Sequence, residues 1–138
     1  MKADPFRRLR GWRELGEQVG DALDRVPDED RTFLIGPSRT LAAEMAFYVP
    51  GQPRVFATPR RRITSQYHLW PGPTECMGWD AILVLEEHKK LPAGLEDCFE
   101  SLALFESVVV RLGPKAERRY SLYLGESLKR WESPALEN

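Results

Sequence analysis

The residues best suited to chemistry in this sequence surround a glycine–proline–serine turn. An apolar run, Phe33-Leu34-Ile35, leads into Gly36-Pro37-Ser38, and Arg39 follows. A strand, a tight turn and a helix start in this order predict free backbone N–H groups and a positive helix end that point outward. In doubly wound α/β sheets this place binds phosphate or another anion. Gly36, Ser38 and Arg39 are therefore candidate anion-binding residues, but the glycine pattern of a nucleotide loop is incomplete and any strand-to-helix turn looks similar.

A second set of candidates combines amides, rings and a carboxylate. Glu44 and Tyr48 lie one helical turn apart after the serine turn, and Gln66, Tyr67, His68 and Trp70 crowd into one short segment. Such density of rings and amides is typical of either a packing corner or a ligand surface. A catalytic histidine needs an orienting acid and a nucleophile. Because no nucleophile motif is present, packing or hydrogen bonding is favoured for His68, and the set is predicted to bind rather than to catalyse.

A run of three arginines, Arg60, Arg61 and Arg62, precedes the aromatic segment. Basic residues beside rings bind single-stranded nucleic acid in some proteins, but the run is short and the formal net charge of the chain is −1. A phosphate-bearing lipid or a membrane headgroup region is a better match. We add these arginines to the anion-binding candidates and predict no nucleic-acid partner; a solvated charged surface is the simple alternative.

The two cysteines, Cys76 and Cys98, lack the spacing of metal ligands. Two buried thiols are favoured over a disulfide. The sequence therefore predicts no metal site and no cofactor.

The elements that position these residues follow from apolar spacing and turn residues. Helices are predicted at 11–26, at 39–48 with Ser38 as N-cap, and at 95–102. Strands are predicted at 32–35, 54–57, 80–86, 105–112 and 120–124. This order predicts an α/β fold that is Rossmann-like and layered, with a mostly parallel sheet of four to five strands and helices on its faces.

Length and composition place the chain among ordinary globular domains. It has 138 residues, of which 42% are hydrophobic and 30% charged, and this size suits one domain with a substantial core. We expect a single domain over 1–138, with residues 133–138 as a disordered tail. No segment approaches the roughly 20 apolar residues that span a bilayer, which predicts a domain that is water-soluble when isolated.

Several motifs together resemble a known family. They are Asp4-Pro5, Arg8-Leu9-Arg10-Gly11-Trp12-Arg13-Glu14-Leu15-Gly16, Ala43-Glu44-Met45-Ala46-Phe47-Tyr48, Pro50-Gly51-Gln52-Pro53 and Ser65-Gln66-Tyr67-His68-Leu69-Trp70. In this order they resemble the C-terminal soluble part of bacterial GT-C membrane glycosyltransferases, the enzymes like dolichyl-phosphate-mannose–protein mannosyltransferase and aminoarabinose transferase. The resemblance covers roughly residues 4 to 85. Two positions depart from the family pattern, which commonly has an acidic residue in place of His68 and a tyrosine-containing turn in place of Ser38-Arg39-Thr40.

The resemblance implies an extracytoplasmic, periplasmic domain on the inner membrane. The family moves a sugar from a polyprenyl-phosphate donor to lipid, glycan or protein, and its catalytic acids lie in the membrane-embedded part. It therefore implies that this chain is an accessory domain, not catalytic by itself, whose partners are that membrane part and the polyprenyl-phosphate sugar or its acceptor. Two other functions stay open: a small α/β domain that binds a phosphate-bearing ligand at Gly36–Ser38, and a protein or membrane interaction module.

Overall fold

The computed structural model of the chain describes residues 5–51, 53–57, 74–92 and 94–130. Within these ranges the helices are α1 (Pro5–Leu23) and α2 (Arg39–Tyr48), and the strands are β1 (Thr32–Gly36), β2 (Val55–Ala57), β3 (Asp80–Glu86), β4 (Phe99–Gly113) and β5 (Ala116–Leu128). Short 3₁₀ helices lie at Glu29–Arg31, Thr74–Cys76 and Leu95–Cys98. The expected tail at 133–138 lies outside the described residues.

The strands of the described part form one mixed sheet in the order β2-β1-β3-β5-β4. β1 is parallel to both β2 and β3. β5 is antiparallel to both β3 and β4, and the β4–β5 hairpin is much the longest pairing. The sheet thus has a parallel half next to an antiparallel half.

The prediction of a Rossmann-like fold with a mostly parallel sheet is wrong. Gly113 pairs with Ala116 across a turn of two residues, and so short a connection allows only an antiparallel hairpin. The predicted helix at 95–102 is also wrong, because a 3₁₀ helix of four residues ends at Cys98 and β4 begins at Phe99. Most strand pairing is therefore antiparallel, and in the described part α2 is the helix that joins two parallel strands.

Other elements are confirmed close to their predicted positions. β1, α2 and β3 lie where the sequence places them, and Ser38 caps α2. α1 differs at both ends, since it begins at Pro5 and ends at Leu23 instead of running over 11–26. No helix in the described ranges is long and apolar enough to cross a bilayer.

The sheet has a hydrophobic core on each face. On the first face α1 and α2 cover the sheet, and this core contains Leu15, Val19, Leu34, Met45, Ile82, Val84, Val110 and Leu122. The second core contains Phe33, Ile35, Cys76, Leu83, Leu95, Cys98, Phe99 and Leu128. Neighbouring residues of β1 and β3 point to opposite cores, as strand geometry requires. Both thiols are buried and unpaired with each other, which confirms the prediction for the cysteines.

Candidate functional site

The turn between β1 and α2 has the local structure that the sequence predicts. Ser38 is in extended backbone, and its Oγ accepts a hydrogen bond from the Leu41 N–H at 3.1 Å. The Ala42 N–H donates to the Ser38 carbonyl at 3.0 Å. One of the free N–H groups at the start of α2 is therefore used by the cap itself.

Gly36 has a packing role in this turn. A Cβ atom at this position would lie 2.7 Å from the backbone nitrogen of Ala42, so only glycine lets the end of β1 approach α2 this closely. The close approach explains the glycine without a ligand. The anion-binding prediction for Gly36, Ser38 and Arg39 stays a prediction.

Tyr48 lies at the far end of α2 from this turn, and Glu44 lies one helical turn before it. Both are half-buried, and Arg39 and Tyr48 are separated by nine residues, or roughly 14 Å of helix rise. The structure therefore does not bring the anion-binding candidates of the turn together with Tyr48 in one site. The helix predicted over 39–48 already places Arg39 and Tyr48 at its opposite ends.

The arginine run and the aromatic segment lie outside the described residues. Arg60, Arg61, Arg62, Gln66, Tyr67, His68 and Trp70 all belong to 58–73. Ala57, the last described residue before that segment, pairs with Gly36. The described chain thus leaves β2 beside the serine turn, and the roles of these seven residues stay predictions.

The end of α2 packs against α1 at backbone distance. A Cβ atom on Gly16 would lie 2.6 Å from the carbonyl oxygen of Tyr48 and 2.7 Å from its carbonyl carbon. A Cβ atom on Gly20 would lie 3.0 Å from Cδ of Pro50. We call these four residues, Gly16, Gly20, Tyr48 and Pro50, the α1–α2 junction. Beside it, the Phe47 ring is 74% exposed and meets the Tyr48 ring edge to face at 4.8 Å.

A charged depression of about 490 Å³ lies where β3 ends and β5 begins, and the sequence did not indicate it. Its lining residues are Glu86, Glu87, His88, Glu117, Arg118 and Arg119. Glu86 faces His88 at 3.4 Å and Arg118 at 3.8 Å, and Glu117 pairs with Arg119 at 2.9 Å. The acidic and basic doublets are 31 residues apart or more and meet only through the β3–β5 register. The His88 side chain is 73% exposed.

The perturbed ionisable groups lie in the cores and not in this depression. Burial raises the pKa of the Cys76 and Cys98 thiols and of the Tyr120 hydroxyl, and nearby arginines oppose the shift in each case. A thiol with a raised pKa is a poor nucleophile at neutral pH. Among the described residues, no three His, Cys, Asp or Glu side chains are placed to hold a metal ion.

Comparison of the chain with protein-family models, with curated proteins and with solved structures finds no match.

Proposed function

We propose that this chain is an extracytoplasmic accessory domain of a membrane glycosyltransferase that uses a polyprenyl-phosphate sugar. In this role it shapes access of the acceptor or stabilises the enzyme, and the chemistry resides in the membrane-embedded part. The observation that supports the proposal most is the α1–α2 junction, because it unites two of the motifs that carry the family resemblance.

The junction makes those two motifs one structural unit. Gly16 ends the Gly-Trp-Arg-Glu-Leu-Gly motif, and Tyr48 and Pro50 belong to the Phe-Tyr-Val-Pro-Gly-Gln-Pro motif. A side chain at Gly16 would collide with the second motif, and one at Gly20 would crowd Pro50. The contact between the two motifs supports the proposal, because a shared fold requires them to occur together.

The same packing separates structural from functional residues. The buried members of the two motifs have packing roles, with Leu15 and Val49 each 1% exposed, whereas Phe47 is 74% exposed. We assign contact with the membrane partner, the lipid-linked sugar or its acceptor to the motif at 65–70, because it combines rings and amides. The proposal therefore assigns recognition to the aromatic segment and stability to the junction.

The test begins with the gene that encodes the chain. We expect the same reading frame, or a neighbouring one, to encode a block of hydrophobic spans with acidic residues in its extracytoplasmic loops. Membranes that contain this protein together with the chain should transfer labelled sugar from a polyprenyl-phosphate donor, and the purified chain alone should transfer none.

Two variants of the assembled enzyme separate the assigned roles. Gly16→Leu should lower sugar transfer together with the amount of folded protein, whereas Tyr67→Ala should lower transfer at an unchanged amount. Sugar transfer by the purified chain alone, or genes without hydrophobic spans, would contradict the proposal.

A further inference from the structure

Among the described residues, side chains close the outer edge of β4 along one half only. In the closed half, the Glu14 carboxylate accepts the Arg111 N–H at 3.0 Å, and the Gln18 amide donates to the Val109 carbonyl at 2.8 Å. Both backbone groups point away from β5, so side chains of α1 occupy the positions that an added strand would use. The bulge between Leu104 and Glu106, on the N-terminal side of these contacts, marks the limit of the closed half.

The open half runs from Phe99 to Leu104. Leu102 and Leu104 lie opposite Gly125 and Tyr123 of β5. Along β5, alternate residues direct their N–H and C=O groups to the same neighbouring strand. The Arg119 carbonyl accepts the Glu87 N–H at 2.9 Å at the end of β3, so Tyr123 and Gly125, which are even numbers of residues away from Arg119, also direct their backbone groups to β3. The backbone groups of Glu100, Leu102 and Leu104 therefore point outward, and none of them bonds to another residue of the described part.

Apart from Glu100 and the bulge at Leu104 and Glu106, this edge lacks the devices that usually protect an exposed strand. Between Ser101 and Phe105 it carries no charge and no proline, and Leu104 is 58% exposed. Natural edges of this length are covered or charged because their free N–H and C=O groups accept another strand. The geometry of the strand indicates what covers it.

We propose that a second copy of this chain pairs antiparallel with residues Glu100–Leu104, about a two-fold axis at Leu102. In this register Leu102 faces Leu102 of the partner subunit, and Glu100 faces the partner's Leu104. All three outward residues of each copy then exchange both backbone hydrogen bonds. With a two-fold axis at Ala103, the residue opposite Glu100 would direct its backbone groups to β5, so Glu100 would form no backbone hydrogen bonds with it.

The side chains fit the same axis. At Ser101 and Ala103, the two positions next to Leu102, the strand carries small side chains. Ser101 faces the partner's Ala103, so two small exposed side chains meet where strands approach most closely. Five paired residues bury less than the roughly 1,200 Å² of a standard interface, so the association is weak and depends on concentration.

Cysteine cross-linking tests the register. In a non-hydrogen-bonded pair the Cα atoms lie about 4.5 Å apart, within disulfide range, whereas diagonal neighbours lie about 7–8 Å apart. Ser101→Cys mixed with Ala103→Cys should therefore form a disulfide-linked dimer several-fold faster than either variant alone. Equal rates, or a faster reaction of Ala103→Cys alone, would overturn the axis at Leu102.

Sedimentation of the full chain from micromolar to millimolar concentration tests the dimer itself. Leu104→Glu, which places a second carboxylate opposite Glu100 of the partner subunit, should abolish the increase in mass with concentration. Phe47→Glu, which alters another exposed large apolar residue, should leave that increase unchanged, and thermal unfolding shows that both variants fold. A chain that stays monomeric throughout overturns the proposal. If the Leu102 and Leu104 amides of that monomer are also protected from hydrogen exchange, the edge is covered by a segment of the same chain.

Discussion

At the level of single residues, Gly16 shows most directly how packing restricts this sequence. Gly16→Ala should lower the free energy of unfolding by about 1–3 kcal/mol, because its Cβ would meet the backbone of Tyr48, which cannot move aside. The loss outweighs the gain of about 1 kcal/mol from the higher helix propensity of alanine. Urea unfolding followed by far-UV circular dichroism measures the change.

Gly11→Ala is the matched control on the same helix. Its Cβ would meet the end of the flexible Leu112 side chain, which can rotate away. We expect a smaller loss, or a gain, for Gly11→Ala. A Gly16→Ala variant as stable as the original chain would show that the α1–α2 junction yields easily and would weaken the structural argument for the proposed function.

From the raised pKa values of the two buried thiols we predict how the free energy of unfolding depends on pH. Burial raises the pKa of Cys98, and likewise of Cys76, above the ordinary value of 9.0. As the pH rises past 9.0, the unfolded chain releases these protons while the folded chain retains them. The unfolded state then binds fewer protons, so the free energy of unfolding decreases with pH. This contribution to stability is complete below pH 9.0 and is lost above it.

Replacing both cysteines with alanine should reduce that alkaline slope. Val110→Ala supplies a control, because it also removes buried apolar volume but no ionisable group. Denaturant unfolding at a series of pH values compares the three proteins. If the cysteine variant loses stability above pH 9.0 as steeply as the control, groups other than the thiols cause the decrease.

At the level of elements, α1 closes part of the sheet edge through two side chains. The double variant Glu14→Ala/Gln18→Ala removes the hydrogen bonds to Arg111 and Val109. We expect each lost bond to cost about 1 kcal/mol and the Arg111 amide to exchange its proton faster. Amide exchange followed by NMR measures this, and Glu17→Ala, at an exposed position of the same helix, is the control. Unchanged protection of Arg111 would mean that α1 does not close the edge.

The elements that could be predicted from the sequence are those with strong local signals. A continuous apolar run predicted β3, and a serine cap followed by an apolar helix predicted α2. The strands of the β4–β5 hairpin were predicted only in part, at 105–112 and 120–124. The start of β4 was missed because the bulge at Leu104 and Glu106 breaks its alternation, and the segment before it has helix-like spacing. The direction of a strand has no local signature of its own, so the mostly parallel sheet was inferred from element order and was wrong.

The candidate site was predictable to a smaller extent. The Ser38 cap is a local feature and was predicted correctly. Contacts between distant residues, such as Gly16 with Tyr48 or Glu86 with Arg118, depend on helix packing and strand register. The spacing of glycines in the sequence does not show which backbone segment will pack against them. Likewise, a pair of neighbouring charged residues does not show which oppositely charged pair it will face.

At the level of the whole molecule, the two cores share the same strands. Leu34 and Ile82 belong to the core of the first face, while Phe33 and Leu83, their chain neighbours, belong to the core of the second. Loss of either core would leave β1 and β3 with one apolar face open to water. We therefore expect both faces to unfold in a single cooperative transition, as small domains usually do.

Two tryptophans report on the two faces separately. Trp12 packs against the first core and Trp79 against the second, and replacement of the other tryptophans by phenylalanine allows each to be followed alone. Phe99→Ala, in the second core, should cost about 3–5 kcal/mol and should lower the denaturant midpoint equally for both reporters. The control is Leu15→Ala, which perturbs the first core and should also shift both. If Phe99→Ala moves only the Trp79 transition, the faces unfold independently, and the strands they share do not couple them.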